Sequence, residues 1–161
     1  MLHHISVAVN NPRHVATVMA EIMQGQAAPF PFNPGSYMAL AMDDYGTLIE
    51  FYPLGSELIP DTHEGPVGFR LSSITTQYVS FHAAISVPIS LEEIERIADR
   101  EGWRVMPCNR DGLFDVVELW VENWLLMELL TPAIAPKYLA ALSPASMTEM
   151  INQLAAADAR R

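Results

Sequence analysis

The chain has one cysteine, Cys108, and only nine lysines and arginines against nineteen aspartates and glutamates. A lone thiol excludes an intrachain disulfide and suits a reducing compartment. The net charge of −10 repels phosphate backbones and anionic lipid surfaces, which argues against nucleic-acid and membrane partners. No apolar run reaches membrane-spanning length. The sequence opens on a strand-like segment without a basic n-region or a signal-like apolar stretch, so a cytoplasmic protein is expected. What is plentiful is apolar surface. With 50% hydrophobic residues among 161, the chain can bury one sizeable core or two small fused modules.

Two stretches repeat one order of elements. LHHISVAVN reads as a strand, and Asn11-Pro12 supplies a helix N-cap and a proline at the first helical position. Val15, Val18, Met19, Ile22 and Met23 fall on one face of that helix, with Gly25 expected to end it. The segment from Ala27 to Asn33, interrupted by proline, reads as an edge strand, and Ser36 to Met42 and Thr47 to Tyr52 as a hairpin around Asp43-Asp44-Tyr45-Gly46. In the second stretch Val79 to Val87 is the strand. Ser90-Leu91-Glu92-Glu93 is a capping box before a helix that buries Leu91, Ile94, Ile97 and Ala98, closed at Glu101-Gly102. Strands follow at Trp103 to Cys108, Leu113 to Val121 and Trp124 to Leu130, with turns at Asn109-Arg110-Asp111-Gly112 and Glu122-Asn123.

The expected organisation is α+β: a βαβββ module over residues 1–53, a linker over 54–78, a second βαβββ module over 79–132 and a helical tail over 133–161, in one compact unit. The linker is broken at Pro60-Asp61 and Gly65-Pro66 and has a possible short strand at Val67 to Leu71. In the tail, Ser146-Met147-Thr148-Glu149 reads as a capping box ahead of an apolar stripe of Met147, Met150, Ile151 and Leu154, which would pack on the body or on a partner subunit.

The repeat carries chemistry. Glu50 stands 46 positions after His4, and Glu128 stands 46 positions after His82. A single offset of 78 aligns both pairs and lays TLIEFYP over LLMELLTP. Imidazole and carboxylate are the donors that borderline and hard divalent ions take, and a carboxylate inside an apolar strand is costly without a partner. The duplicated pair points to a four-ligand metal site shared by two modules. A metal-free cluster held by hydrogen bonds is the alternative.

This order, with His on the first strand and Glu on the last strand of each module, resembles the vicinal oxygen chelate superfamily of glyoxalase I, fosfomycin- and bleomycin-resistance proteins, methylmalonyl-CoA epimerase and extradiol dioxygenases. The resemblance covers about residues 1–132. It implies that the modules curl into an open, mostly antiparallel, barrel-like cup with a divalent metal (Zn, Ni, Mn or Fe) held by His4, Glu50, His82 and Glu128. Modules of that family can complete each other's cups across subunits, so a homodimer is expected. Strand alternation agrees with the mapping: His4, Ser6 and Ala8 share one face and Ile5, Val7 and Val9 the other, while His82 travels with Ala84 and Ser86.

Other residues read as structural. By alternation His3 points away from the cup, His14 lies in the first turn of a helix and is expected to be solvated, and His63 lies in a polar loop that is expected to be solvated, the alternative being a lid over the cup. Cys108 is expected to be buried and inert, and the three tryptophans to be core. Three readings of function stand. The first is a metal-dependent lyase or isomerase in which Glu50 or Glu128 moves a proton and the metal, as Lewis acid, stabilises an enediolate. Its substrate would be small and oxygen-chelating. Ala8 occupies the first-strand position where glyoxalase I carries an arginine for glutathione, so a glutathione adduct is not expected. The second is a small-molecule binding or sequestration protein of the bleomycin-resistance type. The third is an Fe(II) dioxygenase, for which a fourth protein ligand would occupy a position that oxygen needs.

Overall fold

In the computed structural model, residues 2–60, 67–73, 75–76 and 78–158 are described, the last five without their side chains. His63 and Gly65-Pro66 lie outside these residues, as does the side chain of Leu154. The first module runs β1 (His4–Val9), α1 (Pro12–Ile22), β2 (Gln26–Pro29), β3 (Tyr37–Leu40) and β4 (Leu48–Pro53). A hairpin of β5 (Ser56–Ile59) and β6 (Gly68–Leu71) follows. The second module runs β7 (His82–Ser86), α2 (Leu91–Glu101), β8 (Arg104–Arg110), β9 (Phe114–Val121) and β10 (Leu125–Leu130), and α3 (Ala135–Ala141) and α4 (Pro144–Asp158) end the chain.

The two main sheets have equivalent orders, β1-β4-β3-β2 and β7-β10-β9-β8. In each, the first strand lies parallel to the last and the remaining pairs are antiparallel. The sheets remain open, and the proline-broken β2 sits at an edge, where a missing N–H does least harm.

Local chemistry sets the helix ends. The Asn11 side chain accepts from His14 N at 3.2 Å and Pro12 follows it. The Ser90 hydroxyl accepts from Glu93 N while the Glu93 carboxylate accepts from Ser90 N, closing the capping box. Gly102 takes the left-handed C-cap position at φ 67°. Two boundaries differ from expectation. After α1 the left-handed residue is Gln24, at φ 52°, rather than Gly25. Gly25 is required for a different reason, since a Cβ there would lie 1.8 Å from the Leu40 carbonyl oxygen. Helix α4 starts at Pro144, three residues before the expected region, with Ser143 Oγ accepting from Ser146 N, because proline at the first helical position outcompetes the later Ser/Glu pair.

One core serves both modules. Val9, Val15, Met19 and Ile22 of the first pack in one cluster with Ile94, Ile97, Leu119 and Leu129 of the second. The helices also meet through an ion pair, Arg100 Nη2 to Glu21 Oε2 at 2.8 Å, and a hydrogen bond between His14 Nε2 and Glu101 Oε2 at 2.5 Å. The turn after β9 adds a clamp. Glu122 accepts from the backbone N–H groups of Asn10 and Asn11 at 2.7 and 2.9 Å and from Trp124 Nε1 at 3.2 Å. Helix α3 is held on β9 by Tyr138 against Phe114, with centroids 4.9 Å apart, and by Lys137 on Asp115.

Candidate functional site

In the first module, parallel pairing of β1 with β4 places Ser6 beside Glu50 and His4 beside Leu48. In-register neighbours share a face, so His4, Ser6 and Glu50 lie on the surface opposite the buried Val7, Val9, Ile49 and Phe51. Glu50 is only 9% exposed. Its charge is answered by two hydroxyls, Ser6 Oγ and Tyr52 Oη, both donating to Oε2 at 2.6 Å. Tyr52 is packed against Phe30 and against Phe69 of the hairpin, with centroids 5.6 and 5.5 Å away. Burial, and then the Glu50 acceptor, push the Tyr52 phenol up to about 12, so it remains a donor at neutral pH.

In the second module His82 pairs with Leu126 and Ala84 with Glu128, while antiparallel pairing sets Glu118 directly opposite Glu128. Two carboxylates facing each other repel. A guanidinium resolves the conflict: Arg110 Nη2 donates to Glu128 Oε1 at 2.5 Å and to Glu118 Oε1 at 2.8 Å. Glu118 also accepts from Trp120 Nε1 at 3.4 Å. Burial alone would raise the Glu118 pKa, but the bonds from Arg110 and Trp120 outweigh it and hold the carboxyl below its ordinary range. Bonds to Glu128 and then to Glu118 raise the Arg110 pKa. The Cys108 thiol is pushed up by burial and by Glu118, which disfavours the reactive thiolate; the side chain itself is part-buried.

Sequence reading missed Arg110 and Glu118. It put Arg110 in a turn, whereas Arg110 is the last residue of β8 and the turn is Asp111-Gly112, both at positive φ. A signal for Glu118 existed. The two-residue turn Glu122-Asn123 sets the β9–β10 register, which brings Glu118 opposite Glu128 and so calls for a nearby cation.

The four expected ligands are distributed along the chain. His4 is exposed and lines a cleft of about 700 Å³ with Ile5, Asp43, Thr47, Ala84 and Ser86, and His82 is exposed but is not among the residues that line it. Among the described residues no three His, Cys, Asp or Glu side chains converge in a single chain. The donor types nevertheless suit a divalent ion. The hydrogen bonds found for Glu50 all fall on Oε2, an arrangement that orients a carboxylate from behind, whereas Glu128 Oε1 is taken by the Arg110 guanidinium. His3 Nδ1 donates to the Tyr45 carbonyl oxygen at 2.8 Å, a local structural contact. His14 is not merely solvated, because the packing of α1 on α2 brings it to Glu101.

No family model and no curated protein matches the sequence. Solved structures do. The fosfomycin resistance protein FosX from Listeria monocytogenes, complexed with Mn(II) and sulfate, matches at TM-score 0.50 with 13% identity over 81% of this chain and 88% of its own. A lactoylglutathione lyase from Agrobacterium tumefaciens matches at TM-score 0.52 with 8% identity over 82% and 93%. An integron cassette protein from the mobile metagenome of the Halifax Harbour sewage outfall matches at 0.52 with 14% identity over 80% and 96%. Matching strand order in both modules, together with these likenesses, gives the chain the vicinal oxygen chelate fold.

Proposed function

We propose that the chain is a divalent-metal-dependent lyase or isomerase of glyoxalase-like type, acting on a small oxygen-chelating substrate in a cup completed between two copies. The observation that carries this reading is the face-sharing repeat of His4 with Glu50 and of His82 with Glu128 on equivalent strands. His4 and Glu50 of one copy, with His82 and Glu128 of the partner subunit, would hold the ion. When bound, the ion supplies a Lewis acid that polarises neighbouring substrate oxygens. Glu50 is suited to move the proton. Ser6 and Tyr52 fix its Oε2, so Oε1 is the atom that would take a proton from the carbon next to a substrate carbonyl. FosX bound to Mn(II) and the lactoylglutathione lyase support a metal in this fold.

A second reading, small-molecule binding without turnover, is favoured by Arg110, which satisfies Glu128 without any metal, and by the largely apolar cleft beside His4. One experiment separates the two. The full chain is purified, its metal content and its Zn(II) and Mn(II) affinities are measured, and its oligomeric state is determined with and without metal. His82→Ala and Glu128→Ala should each abolish stoichiometric binding while the fold survives. A protein that takes up neither metal, yet binds an apolar dye in a way that substitutions lining the cleft disturb, would establish the second reading instead.

A further inference from the structure

We infer that Arg110 is the resident counter-cation of the Glu128 site, and that a divalent ion engages Glu128 in competition with it. The inference rests on the metal reading above. Three observations carry it. Glu118 and Glu128 face each other across β9 and β10, on a face they share with His82. One guanidinium nitrogen, Arg110 Nη2, bridges both carboxylates at 2.8 and 2.5 Å, the place where an external cation would otherwise be attracted. The Arg110 side chain is 39% exposed, so it has room to swing out, whereas Glu118 and Glu128 are 15% and 13% exposed.

Charge counting gives the direction. Two carboxylates and one guanidinium leave a net charge of −1, and a divalent ion on Glu128 with Arg110 retained by Glu118 brings the cluster to +1, so the guanidinium opposes the ion. The exchange breaks a charge-assisted hydrogen bond and forms a metal–carboxylate bond. Glu118 is the hinge of the exchange. Trp120 Nε1 holds its second oxygen, so Glu118 stays in place and keeps Arg110 tethered after Glu128 is released. Metal affinity is thereby set partly by a residue that does not ligate the metal. Arg110 also protects the metal-free protein from the repulsion of two facing carboxylates.

The test compares the full-length protein with Arg110→Gln, Arg110→Lys and Glu118→Gln, reading Zn(II) and Mn(II) affinity by titration calorimetry and metal-free stability by urea denaturation. Arg110→Gln should tighten metal binding by about tenfold or more and lower the urea midpoint of the metal-free form. Arg110→Lys restores a competing charge and should return the affinity toward wild type. Glu118→Gln should weaken metal binding several-fold, because Arg110 then has Glu128 as its sole partner of the two. In the Arg110→Gln background the Glu118→Gln effect should shrink, since part of it acts through Arg110. A purely structural Arg110 would weaken binding in both single variants, and that result, or an unchanged affinity in Arg110→Gln, overturns the inference while leaving the metal reading intact. Uptake by Arg110→Gln but not by wild type, abolished when His82→Ala is added, supports it in its strongest form. If wild type and Arg110→Gln alike take up neither metal, the metal reading itself fails and the inference falls with it.

Discussion

Glu50 and Glu128 stand at equivalent positions of a repeat but are neutralised in different ways. Glu50 is enclosed and held by two hydroxyls, whereas Glu128 is partly open and held by a guanidinium. The burial of Glu50 makes its donors a stability matter. Tyr52→Phe removes one of two hydrogen bonds to a buried carboxylate, and a loss of about 1–3 kcal/mol is expected by denaturant titration. Ser6→Ala should cost a similar amount, and the double variant more than either. A packing control on the opposite face is Leu129→Ala, at a fully buried core position, expected to cost about 2–5 kcal/mol. If the metal reading holds, Leu129→Ala should leave metal affinity unchanged, because the side chain points into the helix-facing core. The ligand candidates were legible in the sequence because a repeated spacing survives without knowledge of the fold. Arg110 was not, because its role depends on the register of three strands and on β8 reaching two residues beyond its expected end at Cys108.

At the level of elements, strands and helices were readable from periodicity and capping residues, and the repeated order of elements is matched by equivalent strand orders in the two main sheets. Less readable were features set by contacts between elements. Gly25 marks a close approach of α1's exit to β3, which no local pattern announces, whereas Gly102 is needed for its left-handed backbone, which the end of an amphipathic run does announce. Identical substitutions therefore have different physical costs. Gly102→Ala meets open space and should cost about 1–2 kcal/mol through backbone conformation alone. Gly25→Ala drives a Cβ into a main-chain carbonyl, so the α1–β3 contact must shift, at about 1–3 kcal/mol or more. Urea midpoints of both variants check the order. The aromatic hairpin is a further case. Only its β6 strand could be suspected from sequence, and the seating of Phe69 on Tyr52 is a tertiary fact.

Across the whole molecule, the two modules are joined by a common apolar core and by carboxylates whose partners lie in the other module. This organisation predicts how stability depends on pH. Glu21 and Glu101 both sit below the ordinary carboxylate range. For Glu21 the bond from Arg100 leads, and for Glu101 the bonds from Arg100 and His14 outweigh a burial effect of the opposite sign. A depressed folded-state pKa means that the unfolded chain binds protons first, so this stability is fully present above about pH 4.5 and is lost as pH falls through the folded values. Tyr52 acts at the other end. Its phenol is raised to about 12 from an ordinary value near 10, so its contribution is complete below about pH 10 and disappears between there and about 12 as the unfolded chain loses its proton first. Urea midpoints measured from pH 3 to 11 should thus form a plateau with an acid shoulder and an alkaline shoulder. Glu21→Gln should flatten the acid shoulder and leave the alkaline one, and Tyr52→Phe should do the reverse. An alkaline shoulder that persists undiminished in Tyr52→Phe would show that the Glu50 cluster does not control stability there. Glu122→Gln checks the joint between modules independently of pH, because a neutral amide keeps the shape but retains one acceptor oxygen and sets an NH2 donor against the other backbone N–H. A fall in midpoint is expected, with amide exchange accelerating at Asn10 and Asn11 before it does in β9 and β10.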